Sequence, residues 1–134
     1  MFLRPGHAYV YFIYGTSYCI NVSSEAATVG AAVLLRAAEP LLGVELMAAR
    51  RSSAALRDLC RGPGRLAQAL AITRLQDGLD LCAPGPLWLA ASVPPERAIG
   101  TSVRIGVTKE SERVLRFFER ASPFCSGSRR LNEG

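Results

Sequence analysis

The N-terminal part of the chain contains two runs of mostly apolar and aromatic residues, separated by a short polar segment. Residues 9–14, YVYFIY, and residues 18–23, YCINVS, are rich in β-branched and aromatic side chains, which predicts two β-strands. The junction YGTSY combines a glycine with small polar residues and is typical of a turn. We therefore predict a β-hairpin, followed by a third strand over residues 31–37, AAVLLRA, that ends before Pro40.

Two later segments carry apolar residues at the spacing of a helix. Residues 43–53 consist of good helix formers, and residues 62–72 begin with a glycine-proline sequence that commonly precedes a helix. We predict one helix in each segment. The apolar positions are Val44, Met47 and Ala48 in the first helix and Leu66, Ala69 and Leu70 in the second.

The second half of the chain contains three short runs with strand character and one proline-rich interruption. We predict strands at residues 87–91, 103–108 and 114–118, and a loop at Pro94 and Pro95. From Ser126 the chain is polar, and we expect this tail to be disordered. Strands with helices inserted between them indicate an α+β fold, with a mostly antiparallel sheet in a single domain that covers residues 1–134.

Composition restricts the class of protein. Hydrophobic residues make up 49% and charged residues 20% of the chain, which indicates a globular protein and not a disordered one. No apolar run approaches the roughly 20 residues of a membrane span, and the start MFLRPG lacks the features of a signal peptide, so we expect a cytoplasmic protein. The four cysteines form no C-x-x-C pair and His7 is the one histidine, so we expect no metal and no cofactor.

The basic side chains are almost all arginine. The net charge is +5, and of the 16 basic residues only Lys109 is a lysine. Arginine binds phosphate through a planar fork, which favours a nucleic-acid partner, but a GC-rich genome would produce the same bias. Four tyrosines lie within ten residues, and they are either platforms for stacked bases or half-buried residues with hydrated hydroxyls.

Few residues have the pattern of a catalytic group. Asn21 lies between apolar neighbours, and Arg36 ends an apolar strand, where it either pairs with Glu39 or faces a wet cleft that holds an acidic group. The segment GPGRLAQAL lacks the ending of a phosphate-binding P-loop. Its glycine turn could still hold one DNA phosphate with the help of Arg65 and of Arg61 just before it, or could simply dock the helix on the sheet.

Six motifs in order resemble one family. They are MFLRPGHAYVYFIYGTSYCINV, VLLRAAEP, GPGRLAQALAI, RIGVT, LRFF and SPFCS. Together they resemble the alkyladenine (3-methyladenine) DNA glycosylase family, over nearly the whole chain. The resemblance implies a curved antiparallel sheet with a protruding hairpin that enters the DNA minor groove. It also implies metal-free hydrolysis of the N-glycosidic bond of alkylated or deaminated purines in base excision repair, after the damaged base is flipped out.

The resemblance assigns roles to residues of the hairpin and the third strand. Tyr14, just before the hairpin Gly15, would fill the gap left by the flipped-out base, and Leu34 would touch the DNA beside it. Tyr11 would stack on the flipped base, and Asn21 would help to exclude bases with the wrong edge. The expected partner is double-stranded DNA that contains damaged purines, bound by a nucleoid-associated monomer.

The resemblance also locates the catalytic centre. Arg36 would help to hold the attacking water, and the backbone of residues 104–107 would line the water site. In the family, the segment with the catalytic glutamate comes before the MF…PG motif, with which this chain begins. We therefore expect the chain to correspond to the C-terminal two-thirds of the enzyme and to lack that glutamate. The alternatives are a non-catalytic module that binds damaged DNA, or an inactive fragment.

Overall fold

The computed structural model describes residues 2–52, 55–91 and 97–133 and has an α+β fold, as predicted. The three-stranded sheet has the order β1 Ala8–Ile13, β2 Ser17–Ser23 and β3 Ala32–Leu34. The helices are α1 Val44–Arg50 and α2 Pro63–Ala69, and a second sheet pairs β4 Ile99–Ser102 with β5 Arg116–Glu119. Short 3₁₀-helices span Leu56–Asp58, Arg74–Gln76 and Arg129–Asn132. All strand pairs are antiparallel. Each α-helix has seven residues, whereas a membrane span needs about 20.

The hairpin sorts its side chains between two faces. Val10 lies opposite Ile20 and Tyr11 lies opposite Cys19, and residues that lie opposite each other in an antiparallel pair share a face. Val10 and Ile20 are buried, with 5% and 1% of their surface exposed, so their face is the core face. The tyrosines at positions 9 and 11 therefore lie on the other face of the sheet.

Helix α2 packs against the core face of the hairpin. A side chain at Gly64 would place its Cβ only 2.9 Å from the hydroxyl of Ser17, so the close approach of helix and strand depends on glycine. Leu70, expected on the buried side of this helix, is 38% exposed. The two core clusters consist of Ala8, Val10, Ile20, Ala67, Ile72 and Leu81, and of Leu59, Cys60, Leu66 and Ala69.

The outer edge of β1 is covered by a loop. The amide of Ala8 donates to the carbonyl of Leu79 at 2.8 Å, and the amide of Val10 donates to the carboxylate of Asp77 at 2.8 Å. Free strand edges invite pairing with other chains, and this one is closed by the loop. The hairpin is thus held on its core face and along its outer edge, while its tip extends beyond both.

Two predicted strands are wrong. Residues 87–91 are irregular and mostly exposed, because Pro84 and Pro86 lack amide donors and the amide of Leu89 makes one bond, to the carbonyl of Leu81 at 2.7 Å. The adjacent loop prediction at positions 94 and 95 lies outside the described residues.

No strand forms at residues 103–108. The strand in this region is β4, which ends before it, at Ser102. Gly106 has a φ of 71°, which turns the chain, and the guanidinium of Arg104 donates to the carbonyl of Lys109 at 2.7 Å. Alternation of apolar residues over this segment therefore reflects a turn and not a strand. The other predicted elements exist with shifted ends, and the end of the first predicted helix, Ser53, lies outside the described residues.

The C-terminal segment is anchored by a buried arginine. Arg116 is only 5% exposed, and its guanidinium donates to the carbonyl of Ser126 at 2.6 Å and to the hydroxyl of Ser102 at 2.9 Å. It also lies 4.5 Å from the centre of the Phe118 ring. Burial lowers the pKa of this guanidinium. Residues 126–132 thus make defined contacts, because oxygens of this segment satisfy a buried cation.

Replacing this arginine will destabilise the fold. For Arg116→Met we expect the free energy of unfolding to fall by about 2–4 kcal/mol, because several buried acceptors lose a charged donor. Urea titrations followed by circular dichroism measure the change. The matched control is Arg113→Met, which removes an exposed arginine paired with Glu110 at 3.0 Å and should cost less than about 1 kcal/mol. Equal effects of the two substitutions would contradict this account of Arg116.

Candidate nucleic-acid interface

Tyr14 projects from the tip of the hairpin. Its side chain is 85% exposed, and the turn is closed by the amide of Thr16, which donates to the carbonyl of Ile13 at 3.2 Å. Tyr14 and Gly15 have φ values of 55° and 65°. Tight hairpin turns need such positive values, but for a residue other than glycine they cost about 1–2 kcal/mol. A bulky aromatic residue kept in a strained and exposed position is typical of a binding site.

Arg65 lies beside this hairpin tip. A groove of about 500 Å³ lies beside the contact between the start of β2 and α2, and its lining includes Thr16, Ser17 and Arg65. The arginine belongs to the first turn of the helix and is exposed. The predicted phosphate ligand Arg65 thus shares a groove with Thr16, two residues after the predicted aromatic finger Tyr14.

The remaining predicted residues share the second face of the three-stranded sheet. Tyr9 lies opposite Asn21, which in turn lies opposite Leu34. Tyr11 is two residues from Tyr9 and shares its face, and their ring centres are 5.4 Å apart. Leu34 is thus part of this face. Its partner Asn21 lies four residues along β2 from Ser17, where the strand begins after the turn. We call this surface, with Tyr9, Tyr11, Asn21, Leu34 and the following Arg36, the pocket face.

Asn21 is held rigidly on the pocket face. It is 7% exposed, and its side-chain amide donates to the backbone carbonyl of Tyr9 at 3.2 Å. An amide fixed in this way presents a defined hydrogen-bonding edge, which is what discrimination between base edges needs.

Cys19 lies on the pocket face opposite Tyr11, although no motif in the sequence assigned it to the site. Burial raises the pKa of the Cys19 thiol. Burial also raises the pKa of the Tyr11 hydroxyl, and the neighbouring Cys19 adds a smaller effect in the same direction. Both groups are therefore neutral near pH 7. The floor of the pocket face is uncharged, and the cation on it is Arg36.

Arg36 is held by a residue far along the chain. Its Nε donates to the hydroxyl of Ser126 at 3.3 Å. Burial lowers the pKa of the guanidinium, and the positive charge of Arg116 adds to this effect. Glu39 is exposed and, like every other described carboxylate, forms no salt bridge with Arg36. Of the two environments that the sequence left open, local pairing with Glu39 is thus excluded.

The loop of residues 104–107 packs next to this anchor. A side chain at Gly127 would place its Cβ 2.6 Å from the Cδ1 of Ile105, so the loop directly contacts the residue after Ser126. Three segments that are distant in sequence thus meet next to Ser126: the chain after β3 through Arg36, the C-terminal segment, and the loop of residues 104–107.

The sequence profile of the methylpurine-DNA glycosylase family matches residues 1–123. The chain belongs to this family. A protein of Mesorhizobium japonicum, provisionally named 3-methyladenine DNA glycosylase, is 56% identical over 99% of this chain and 64% of its own length. A protein of Paraburkholderia phytofirmans with the same provisional name is 51% identical over 98% and 62%. The human DNA-3-methyladenine glycosylase is 43% identical over 99% and 49%. The chain therefore spans less than two-thirds of these relatives.

Three residues of this methylpurine-DNA glycosylase family member were not predicted as parts of the site. Cys19 could have been found by counting the hairpin register outward from the turn. Arg116 and Ser126 lie in the motifs LRFF and SPFCS, but these motifs do not indicate the contacts, which join segments ten or more residues apart. In the described part of the chain, no group of three or more histidine, cysteine or acidic side chains could hold a metal ion.

A substitution at the hairpin tip should stabilise the protein. We expect Tyr14→Asn to raise the free energy of unfolding by about 1 kcal/mol, because asparagine tolerates a positive φ far better than tyrosine. Urea denaturation measures the change. Leu75→Asn is the control, since Leu75 is also 85% exposed and lacks a positive φ, and it should be nearly neutral. A loss of stability in Tyr14→Asn would disprove the strained turn.

Stability should decline in alkali. The pKa of Cys19 is raised from 9.0 and that of Tyr11 from 10.0, so the unfolded chain releases these protons at lower pH than the folded chain. The stabilisation is complete below about pH 9 and is lost as the pH rises through the folded-state pKa values. Unfolding free energies measured from pH 8 to alkaline values under reducing conditions test this.

A cysteine variant identifies the source of the alkaline loss. Cys19→Ala should make the decline shallower, because it removes a thiol whose raised pKa contributes to the decline. An identical slope in wild type and Cys19→Ala would show that the thiol does not contribute.

Proposed function

We propose that this chain is the base-recognition part of a DNA repair glycosylase that hydrolyses the N-glycosidic bond of alkylated or deaminated purines, of the 3-methyladenine type, in base excision repair. One observation carries the proposal: an exposed and strained Tyr14 stands at the end of the sheet whose second face presents Tyr11, Asn21 and Arg36. The names of the relatives, which refer to 3-methyladenine, agree with this substrate class.

The proposed mechanism begins with base flipping, because the glycosidic bond of a stacked base cannot be reached. Arg65 binds a phosphate near the lesion, and the Tyr14 ring enters the stack in place of the displaced nucleotide. The damaged purine stacks on Tyr11, whose neutral and electron-rich ring suits the positive charge of an alkylated base. Asn21 then accepts or rejects the exposed edge of the base.

The hydrolytic step requires a water molecule and a base to activate it. Arg36, held by Ser126, would orient the water with its guanidinium, together with the loop of residues 104–107. The water attacks the sugar carbon as its proton passes to a carboxylate, and the purine leaves. Glu25 and Glu39 are exposed, so we propose that this carboxylate belongs to a segment other than the described residues.

A second candidate function is a module that binds damaged DNA without cleaving it. The observation that favours it is that no described carboxylate forms a salt bridge with Arg36. Both candidates bind the same partner, double-stranded DNA with damaged purines. In both, the protein acts as a monomer and associates with the nucleoid in the cytoplasm. They differ only in base release.

Binding of lesion-containing DNA tests the proposal. We expect the 134-residue chain to bind a short duplex with one hypoxanthine or 3-methyladenine more tightly than the undamaged duplex. Tyr14→Asn should lose most of this preference, since stacking contributes about 1–3 kcal/mol per base. Fluorescence anisotropy measures both affinities, with Leu75→Asn as the control for exposed apolar surface.

Two outcomes would contradict parts of the proposal. Equal affinity of the wild-type chain for damaged and undamaged duplexes would disprove lesion recognition. Release of the base by the 134-residue chain alone, detected by chromatography, would show that its own residues include the general base and would exclude the non-catalytic module.

A further inference from the structure

A second cleft, next to the pocket face, is lined by an unusual number of arginines. Its volume is about 490 Å³, and the arginines that line it are Arg57, Arg61, Arg120 and Arg129. Glu133 is the one acidic side chain among the described residues of its lining. We call this surface the arginine cleft. Four guanidinium groups around one cleft repel each other unless an anion binds between them.

Only half of this positive charge is neutralised within the protein. Arg61 pairs with Asp58 at 2.9 Å and Arg129 pairs with Glu133 at 3.4 Å. The other two arginines of the cleft are exposed and form no salt bridge with any residue that the structure describes. Two guanidinium forks are therefore free to bind phosphate oxygens.

The arginine cleft begins where the pocket face ends. Ser126 accepts the hydrogen bond from Arg36, and its two neighbours in sequence line the cleft. On the other side, Arg61 forms an antiparallel bridge with Ala37, the residue after Arg36. A polymer that passes over Arg36 would therefore reach the cleft without crossing the rest of the protein.

The arginines also connect the cleft with the hairpin tip. Arg61 precedes α2 and Arg65 belongs to its first turn, so the two flank the start of the same helix. Arg65 lines the groove beside the tip and Arg61 lines the arginine cleft. The positive charges of Arg65 and Arg61 thus follow one path along the start of α2, from the groove beside the hairpin turn to the arginine cleft.

We infer that the arginine cleft binds the phosphodiester backbone of DNA at phosphates beyond those that flank the flipped base. This inference extends the proposed function and rests on it for the position of the finger in the duplex. A continuous path of charge fits a polyanion better than a free phosphate, since a single anion would use only one end of it. Backbone contacts position a duplex without reading its sequence, so the cleft should bind damaged and undamaged DNA alike.

The salt dependence of binding to undamaged duplex tests the cleft. For the double variant Arg57→Gln and Arg120→Gln, we expect the slope of log K against log salt concentration to shrink by about 2, because each lost phosphate contact removes about 0.9. The affinity at low salt should fall roughly tenfold or more. Fluorescence anisotropy over a salt series measures both quantities.

Two further double variants separate a local contact from a general effect of charge. Arg74→Gln with Arg113→Gln removes the same formal charge outside the cleft and should change the slope little. Arg57→Lys with Arg120→Lys keeps the charge and should retain most of the slope. Thermal unfolding confirms that all variants are folded.

An unchanged slope in Arg57→Gln with Arg120→Gln, or an equal decrease in the Arg74 and Arg113 variant, would overturn the inference. Competition by inorganic phosphate at equal ionic strength would also overturn it, since the cleft would then be a site for free anions. If the wild-type chain shows no lesion preference but the slope still shrinks, the arginine cleft is supported and the proposed function is not.

Discussion

The buried guanidinium of Arg116 is the interaction on which the arrangement of the site depends. A cation removed from water must be compensated, and here neutral oxygens do this instead of a carboxylate. Those oxygens come from β4 and from the C-terminal segment, so one side chain of β5 joins three parts of the chain. The same contact fixes Ser126, whose hydroxyl then accepts from Arg36. The position of Arg36, the cation of the pocket face, is therefore set by Arg116, a buried cation that is not part of that face.

The register of the hairpin separates the residues that stabilise the fold from those to which we propose a role in recognition. Residues such as Val10 and Ile20 bury one face, which leaves Tyr11 and Asn21 on the other without a cost to the core. A slip of one residue would exchange the two faces, so the strained turn at Tyr14 and Gly15 fixes the register as well as the finger. The fold tolerates this strain at the tip because the strands of the hairpin pack against α2 and form hydrogen bonds with the loop that covers β1.

The local parts of this site could be predicted from the sequence, whereas the long-range parts could not. Alternation and one turn glycine suffice for the hairpin, and the family resemblance then names Tyr11, Tyr14 and Asn21. Alternation failed at residues 103–108, because a glycine with positive φ and the backbone contacts of an arginine produce a turn with the same pattern. The arginine cleft is built from separate segments, and nothing in their local sequences indicates that they meet.

The order of these surfaces along the molecule indicates how affinity and selectivity would be divided under the proposed function. Phosphate contacts at Arg65 and in the arginine cleft would act equally on every sequence, so they could hold the protein on DNA while it searches. Selectivity must then arise where charge is absent, at the neutral floor formed by Tyr11 and Cys19. A charged floor would attract any nucleotide through its phosphate, whereas a neutral aromatic surface distinguishes bases by shape, edge and the positive charge of an alkylated ring. Under the proposed function, the low positive charge of the pocket face would thus contribute to recognition as much as the high positive charge of the cleft beside it.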